Sequence, residues 1–293
     1  MDLPPVARAY RLPVTGPAAQ ASSGAGRFTN VQRMARVAST NTAALEAAAA
    51  GAPEGLVVVA EEQTAGRGRL GRTWVAPPGA TLVCSALLRP PWPLEGGTAF
   101  LLTASLALAA REAAAACAGV TLGLKWPNDL LAGGGVGGGK VAGILAEVAR
   151  DGAVVVGIGC NLAATAGGYP PGATSLEALA GHPVGREGFL DVLLSGLERR
   201  YGLLVEDHVA GNAALVAEAR GASATLGRAV RVELPSGEVL EGEAVALRDD
   251  GRLVVVRRDG GQVVVEAGDV VHLRHAPVRA GRSLERGPGG QVP

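Results

Sequence analysis

The run Leu56–Trp74 reads Leu-Val-Val-Val-Ala-Glu-Glu-Gln-Thr-Ala-Gly-Arg-Gly-Arg-Leu-Gly-Arg-Thr-Trp. Its first five residues, Leu56–Ala60, predict a buried strand that would hold the following loop at the edge of a sheet. In that loop three glycines alternate with three arginines before an indole. Glycine exposes backbone N–H groups to an anion, and the arginine fork fits phosphate or carboxylate oxygens. We therefore interpret Glu61–Trp74 as an anion-binding loop rather than as a solvated basic turn.

The chain has 293 residues, enough for a large core and more than one domain. Basic and acidic residues balance at 27 each, which predicts no global attraction to nucleic acid or to an acidic membrane. The first residues lack the apolar region of a signal peptide, and the apolar run Thr98–Cys117 is interrupted by two charges, so it predicts a buried helix. Three widely spaced cysteines are typical of buried thiols in a reducing compartment. These features predict a cytoplasmic protein.

Composition divides the chain into four parts. Residues 1–27 are rich in Pro, Ala, Gly and Ser and predict a disordered leader, and the Gly/Pro/Arg tail 276–293 is predicted to be disordered as well. Residues 28–220 carry the long apolar runs of a large domain with strands and helices. Residues 221–275 carry short alternating strands joined by Gly-containing turns, which predicts a small β-barrel.

Two glycine-rich patterns imitate nucleotide-binding motifs but lack their structural context. The Gly66-x-Gly68-x-x-Gly71 pattern is followed by prolines rather than by a helix, so it does not predict a dinucleotide-binding fold. The pattern that ends at Lys140 has Val141 where a P-loop needs Ser or Thr, and a strand follows. We interpret residues 133–139 as a hairpin tip that places Lys140 at the start of a strand. On this pattern alone, Lys140 is either an ordinary strand-edge lysine or a functional one.

Two further segments combine polar side chains at the ends of predicted elements. Lys125-Trp126-Pro127-Asn128-Asp129 follows a short strand, and such loops often present functional groups. Asn128 and Asp129 are also ordinary turn formers, whereas Asp129 could help to hold magnesium, which binds few carboxylates and mostly phosphate oxygens. Ser39 and Asn41 precede a predicted helix, where they fit either N-capping or recognition of a polar ligand.

Five motifs in this order and spacing resemble the biotin protein ligases: Ser39-Thr40-Asn41, Gln63–Trp74, Lys125–Asp129, Lys140-x-Ala142-Gly143-Ile144-Leu145-x-Glu147 and Gly157-x-Gly159-x-Asn161. The likeness runs from about residue 31 to residue 273. It implies an α+β fold of the class II synthetase-like biotin–lipoate ligase type. In that fold a mixed β-sheet catalytic domain, with helices packed on one face, precedes a small SH3-like β-barrel.

The resemblance also implies the reaction. Such enzymes join biotin to ATP, giving biotinyl-5′-AMP and pyrophosphate, and pass biotin to one lysine of a biotin carboxyl carrier domain, typically of acetyl-CoA carboxylase. ATP, Mg²⁺ and biotin enter as substrates, with no tightly bound cofactor. The implied biotin-binding residues are Ser39, Thr40, Asn41, Gln63, Gly66, Arg67, Gly68, Arg69 and Lys140. The implied nucleotide-binding residues are Arg69, Arg72, Trp74, Asn128 and Asn161, and the implied catalytic residues are Lys140, Arg67 and Lys125.

The chemistry of that reaction agrees with these residue types. A carboxylate that attacks a triphosphate must overcome repulsion between two anions, so cations aimed at both are the main requirement. The acyl-adenylate is prone to hydrolysis, and a Gly/Arg loop that closes over it would exclude water. The acceptor lysine attacks the adenylate directly, so no nucleophilic residue of the enzyme is needed.

Some alternatives remain at this stage. Many bacterial family members carry an N-terminal winged helix, but the segment before Ser39 lacks a basic recognition helix, which predicts a monofunctional ligase without operator binding. We expect a monomer or weak homodimer. A lipoate–protein ligase would use the same adenylation chemistry, although the arginine-loop spacing and the appended barrel argue against it. A non-catalytic biotin- or nucleotide-responsive regulator is the third reading.

Overall fold

The computed structural model describes residues 26–94, 98–133 and 138–273. The strands are β1 (Asn30–Val37), β2 (Leu56–Gln63), β3 (Thr81–Leu88), β4 (Leu122–Lys125), β5 (Asp129–Ala132), β6 (Lys140–Val148), β7 (Val154–Asn161), β8 (Arg228–Glu233), β9 (Val239–Leu247), β10 (Leu253–Arg257), β11 (Gln262–Val265) and β12 (Asp269–His272). The helices are α1 (Thr40–Ala49), α2 (Thr98–Ala118), α3 (Leu176–Ala180), α4 (Arg186–Glu206) and α5 (His208–Gly221). The predicted tail, most of the predicted leader and the middle of the glycine-rich tip lie outside the described residues.

Seven strands form one mixed sheet in the order β1-β2-β3-β7-β6-β5-β4. Only β1 and β2 run parallel among the described pairs of this sheet, and the other neighbours are antiparallel. The central strands β3 and β7 are buried along their whole length, because both faces of the sheet are covered. Their uninterrupted apolar sequence follows from that burial, and the predicted mixed sheet is confirmed.

Helices cover both faces of this sheet. Val57 and Val59 of β2 belong to the larger core, which contains α2, whereas Leu56 and Val58 pack with alanines of α1 in a separate core. Because successive side chains of a strand point to opposite faces, α1 lies across the sheet from α2. The prediction that the helices pack on one face was therefore wrong.

The helix α2 forms the centre of the larger core and packs against α4. It is long and apolar enough to cross a membrane, but 72% of its most apolar window is buried inside the fold. Gly196 of α4 allows this close packing, since a Cβ there would lie 3.0 Å from the Cβ of Ala109 on α2. The interrupted apolar run is thus a core helix of the domain, as predicted.

The remaining five strands form an antiparallel sheet in the order β11-β10-β9-β8-β12, in agreement with the predicted SH3-like barrel. Hydrogen bonds of Trp126 join this barrel to the Lys125–Asp129 motif. Trp126 Nε1 donates to the Gly251 carbonyl at 3.0 Å, and Trp126 N donates to Thr225 Oγ1 at 3.0 Å. A Cβ at Gly251 would lie 2.4 Å from the ring of Phe100, so the barrel approaches α2 closely. The domain limit at 220/221 stays a prediction.

Candidate active site

One cavity, of about 130 Å³, gathers most of the residues that the sequence singled out. It lies where α1 begins, between the arginine loop and strands β6 and β7. The predicted site residues that line it are Ser39, Thr40, Asn41, Gln63, Arg67, Gly68, Arg69, Arg72, Trp74, Asn128, Asp129 and Lys140. Gly66, Lys125 and Asn161 lie beside the cavity without lining it.

The start of α1 forms a buried polar cluster. Thr40 donates its backbone N–H to Gln63 Oε1 at 2.7 Å, and Ser85 Oγ donates to Asn41 Oδ1 at 2.6 Å. Ser39 occupies the N-cap position, but its side chain makes no capping hydrogen bond. Ser39 and Asn41 are only 5% and 4% exposed, so both side chains face the cavity wall rather than solvent. The Ser39 side chain therefore does not cap α1, and Ser39 and Asn41 instead form part of a polar pocket wall.

A carboxylate that the sequence interpretation left without a role links this cluster to the arginine loop. Glu147 Oε2 on β6 accepts a hydrogen bond from Asn41 Nδ2 at 2.8 Å and another from Arg67 Nη2 at 2.8 Å. Asn41 Nδ2 also donates to the Leu145 carbonyl at 3.2 Å. Glu147 was present in the fourth motif, so its position in that motif was the signal that could have identified it.

The arginine loop folds back on itself. Trp74 N donates to the Gly66 carbonyl at 2.9 Å, and Gly68 N donates to the Arg72 carbonyl at 2.7 Å. A Cβ at Gly66 would lie 2.4 Å from the Trp74 carbonyl, so only glycine permits this closure. At the tip, Leu70 has a φ of 56° and is 63% exposed. Gly66 therefore shapes the loop rather than facing the cavity.

Both lysines converge on one carboxylate. Lys140 Nζ lies 2.6 Å from Asp129 Oδ1, and Lys125 Nζ lies 3.7 Å from Asp129 Oδ2. Lys140 Nζ also lies 5.4 Å from the centre of the Trp74 ring, within the range of a cation–π interaction. The Lys140 side chain is 32% exposed. Its contacts place it in the cavity wall, and its catalytic role stays a prediction.

Glycines of β7 make room for the side chains opposite. A Cβ at Gly159 would lie 2.3 Å from the Trp74 indole, and a Cβ at Gly157 would lie 1.9 Å from Asn41 Oδ1. No real Cβ tolerates such contacts, so the spacing of these glycines determines where the indole and the amide can lie. The two glycines of the fifth motif thus contribute space to the site, because they have no side chains.

The second half of the arginine loop reaches the barrel. Arg72 Nη2 donates to Asp269 Oδ2 of β12 at 2.5 Å, and this hydrogen bond raises the pKa of Arg72. Arg69 Nη1 donates to Asn128 Oδ1 at 3.3 Å, and burial lowers the pKa of Arg69. Asp269 is a cavity residue that sequence reasoning missed, because it lies 197 residues from its partner and belongs to the predicted barrel.

Asn161 ends β7 and is 2% exposed. Its Nδ2 donates to the Thr174 carbonyl at 3.0 Å, whereas its buried Oδ1 has no hydrogen-bond partner within the described residues. A buried amide oxygen without a donor costs free energy unless a ligand supplies one. The predicted position of Asn161 beside an adenine is compatible with that acceptor, and its role stays a prediction.

The residues present do not assemble a magnesium site. Across the described ranges, no group of three His, Cys, Asp or Glu side chains could hold a metal ion. The two oxygens of Asp129 face two lysines, whose ammonium groups compete with any cation. Magnesium that enters with ATP is held mainly by phosphate oxygens, so the reaction does not require such a cluster.

Internal carboxylates pair with three of the four predicted cavity cations. Arg67 pairs with Glu147, Arg72 with Asp269 and Lys140 with Asp129. The cations therefore surround one cavity and already bind carboxylate oxygens. Such an arrangement suits a ligand with several anionic groups, because cations from separate elements line the same cavity.

Comparisons with known proteins place the chain in a class and then in a family. Residues 34–163 match the Biotin/lipoate A/B protein ligase family, and residues 225–273 match the biotin protein ligase C terminal domain. The biotin–[acetyl-CoA-carboxylase] ligase of Mycobacterium tuberculosis is 42% identical over 255 residues, which are 86% of this chain and 92% of that protein. The ligase of the same description from Paracoccus denitrificans is 38% identical and covers 81% of this chain and 98% of its own length.

Solved structures agree. The biotin protein ligase from Aquifex aeolicus in complex with biotin and ATP superimposes with a TM-score of 0.72 at 26% identity, covering 84% of this chain and all of that one. The chain belongs to the biotin protein ligase family.

Proposed function

We propose that this chain activates biotin with ATP to biotinyl-5′-AMP and then transfers the biotinyl group to a lysine of a biotin carboxyl carrier domain, such as that of acetyl-CoA carboxylase. The observation that carries the proposal is the set of cations around one cavity, with a polar pocket at one end and the barrel at the other. The membership of the chain in the biotin protein ligase family supports the choice of substrate.

In the first step a biotin carboxylate oxygen attacks the α-phosphorus of ATP, a P–O bond forms, and pyrophosphate leaves. Repulsion between the carboxylate and the triphosphate is the main barrier that the protein can lower. Arg67 shares Glu147 with Asn41 of α1, Arg72 contacts the barrel through Asp269, and Lys140 contacts Asp129. These partners support a position of the biotin carboxylate beside Arg67, of the outer phosphates beside Arg72, and of the reacting atoms beside Lys140.

The polar cluster at α1 suits the ureido ring of biotin, which offers two N–H donors and one carbonyl acceptor. Gln63, Ser39 and Thr40 line that end of the cavity. Their side chains provide both hydrogen-bond donors and acceptors at that end of the cavity. Arg69 donates to Asn128, and both line the cavity together with Trp74, which supports the nucleotide-binding role for all three.

The choice of lysine at two positions supports a catalytic role for both. Of the 27 basic residues in the chain, 25 are arginine, and Lys125 and Lys140 are the two lysines. An ammonium is a compact charge on a flexible stem, and a planar guanidinium does not replace it where a single point must be neutralised. In a chain that uses arginine everywhere else, lysine at these two cavity-side positions indicates a need for that shape.

We further propose that the enzyme acts in the cytoplasm, as a monomer or weak homodimer, without binding operator DNA or a membrane. Magnesium would accompany ATP through the phosphate oxygens. A formal net charge of +0 supports the absence of non-specific nucleic-acid binding. A sequence-specific gel shift with biotin-operon DNA would contradict this part, and sedimentation at several concentrations would determine the oligomeric state.

The deciding experiment is mass spectrometry of a carrier domain after incubation with the chain, Mg-ATP and either biotin or lipoate. A biotinyl adduct on the carrier lysine is expected, and lipoyl transfer without biotinyl transfer would replace the proposal with a lipoate ligase. Absence of biotin-dependent pyrophosphate release would favour a non-catalytic regulator. Lys140→Ala is expected to abolish adenylate formation, whereas Arg258→Ala, at an exposed barrel residue, serves as the matched control.

A further inference from the structure

The two lysines of the chain meet at a single carboxylate, and apart from the α-amino group the chain has no other primary amine. Lys140 Nζ lies 2.6 Å from one oxygen of Asp129, and Lys125 Nζ lies 3.7 Å from the other. The Asp129 side chain is 17% exposed, so water screens these contacts only in part. Lys140 lines the cavity, whereas Lys125 does not.

This arrangement has a chemical consequence if the proposed function holds, on which the inference rests. Biotinyl-5′-AMP is a mixed anhydride whose productive partner is a primary amine. The lone pair of a free lysine amine attacks the carbonyl carbon, a C–N bond forms, the C–O bond to the phosphate breaks, AMP leaves, and the amine proton passes to solvent. This acyl transfer is the same reaction for the carrier lysine and for any lysine of the enzyme. An accessible amine of the enzyme beside biotinyl-5′-AMP would therefore consume the intermediate, and the biotinyl group left on the enzyme would block the cavity.

We propose that Asp129 is a positioning residue that protects the enzyme from acylation by its own intermediate, and that Lys140 is a latent acceptor site. The carboxylate binds Lys140 as an ammonium, which presents N–H groups and has no lone pair for attack. The ammonium lies against the backbone of Gly143, where a Cβ would be 2.9 Å from Nζ, so the glycine leaves room for Lys140 to reach Asp129.

The remainder of the chain offers the intermediate no side-chain amine. Its other 25 basic residues are arginines, whose guanidinium groups stay protonated. Intermediate that escapes from the cavity therefore meets lysine acceptors on the carrier, and on the enzyme only the α-amino group. Two features thus protect the enzyme from acylation: the chain has no lysine outside the site, and Asp129 binds the lysine within the cavity.

The test supplies preformed biotinyl-5′-AMP without any carrier and locates adducts by peptide mass spectrometry. Wild type is expected to stay unlabelled at both lysines. Asp129→Asn is expected to gain a biotinyl group on Lys140, at least about tenfold above wild type, because loss of one partner releases the other from a partly buried ion pair. Asp129→Glu keeps the charge and is expected to restore protection. Arg258→Lys adds one exposed amine far from the site, and its slow labelling shows that the acyl donor is competent.

The internal comparison between the two lysines distinguishes protection from general loosening of the fold. Label on Lys140 but not on Lys125 supports the proposal, whereas equal label on both would indicate unfolding and overturn it. Label on wild-type Lys140, or an unlabelled and folded Asp129→Asn, would also overturn it. Asp129→Ser replaces Asp129→Asn if thermal melting shows that the amide variant is unfolded. Because the intermediate is added preformed, failure of biotin-dependent pyrophosphate release would reject the proposed function without affecting this readout.

Discussion

Arg72 Nη2 in the arginine loop donates a hydrogen bond of 2.5 Å to Asp269 Oδ2 on the first residue of β12. The contact joins two parts of the chain that are 197 residues apart, so the barrel directly holds the loop that covers the cavity. The two side chains are 62% and 22% exposed. An ion pair of that exposure contributes about 1 kcal/mol or less, which is enough to bias a loop but too little to hold it permanently.

Asp269→Asn is therefore expected to release the loop while leaving the fold intact. About 1 kcal/mol corresponds to a roughly fivefold change in the open population. The measurement is the rate of trypsin cleavage after Arg67, Arg69 and Arg72 in the absence of ligand, followed by mass spectrometry of the fragments. Asp259→Asn changes a turn of the same barrel that does not touch the loop and serves as the control. Equal cleavage rates in the two variants would show that the barrel does not hold the loop.

Gly159→Ala is expected to weaken nucleotide binding more than it weakens the fold. A Cβ there would lie 2.3 Å from the Trp74 indole, so the indole must leave its position over β7. Overpacking of this kind costs about 1–3 kcal/mol. Titration with ATP measures the binding loss, and circular dichroism measures the stability. Gly188→Ala in α4 has nothing within 4 Å of the new Cβ and is expected to be neutral or slightly stabilising. If Gly159→Ala binds ATP with unchanged affinity, Trp74 does not contribute to nucleotide binding.

Glu147→Gln is expected to weaken biotin binding by about tenfold, because hydrogen bonds to a charged group contribute about 1.5–3 kcal/mol. Its carboxylate accepts from both Asn41 and Arg67, which an amide oxygen cannot hold as firmly. Calorimetric titration with biotin provides the Kd. Glu241→Gln, at an exposed residue of β9, is the control. An equal or smaller Kd would show instead that Glu147 competes with the biotin carboxylate for Arg67.

Much of the fold was predictable because its strands and helices carry strong patterns. The predicted strand Leu56–Ala60 lies within β2, β6 begins at Lys140 as predicted, and α2 extends one residue beyond the predicted run Thr98–Cys117. The strand β1 escaped prediction since it lies at the sheet edge, with mostly exposed side chains and no apolar alternation. The four-residue strand β5 and the five-residue helix α3 are too short to show a period.

The site was predictable where its residues cluster along the chain. The arginine loop and the Lys125–Asp129 motif are dense local signals, and the cavity brings both together. Ser85 and Asp269 carried no such signal, because each is a single polar residue in an ordinary strand whose role depends on distant partners. Pairing of cations with protein carboxylates likewise arises only when separate strands are assembled.

The barrel and the Lys125–Asp129 motif also share a pH-dependent contact. His272 of β12 lies 3.1 Å from Thr225 Oγ1, which already accepts the Trp126 N–H. Burial lowers the pKa of His272 to about 4, with smaller contributions from Lys125 and Arg228.

Because an unfolded histidine titrates near pH 6.5, the unfolded chain binds a proton between pH 6.5 and 4 that the folded chain refuses. The free energy of unfolding is thus expected to fall by about 2–3 kcal/mol as the pH drops through that window. Above pH 6.5 His272 is neutral in both the folded and the unfolded chain, so this loss is absent. His272→Gln should remove this component, whereas His182→Gln, at an exposed histidine, should retain it. Urea denaturation at pH 7, 6, 5 and 4 measures the difference, and parallel curves for the two variants would show that His272 is not the residue that destabilises the fold in acid.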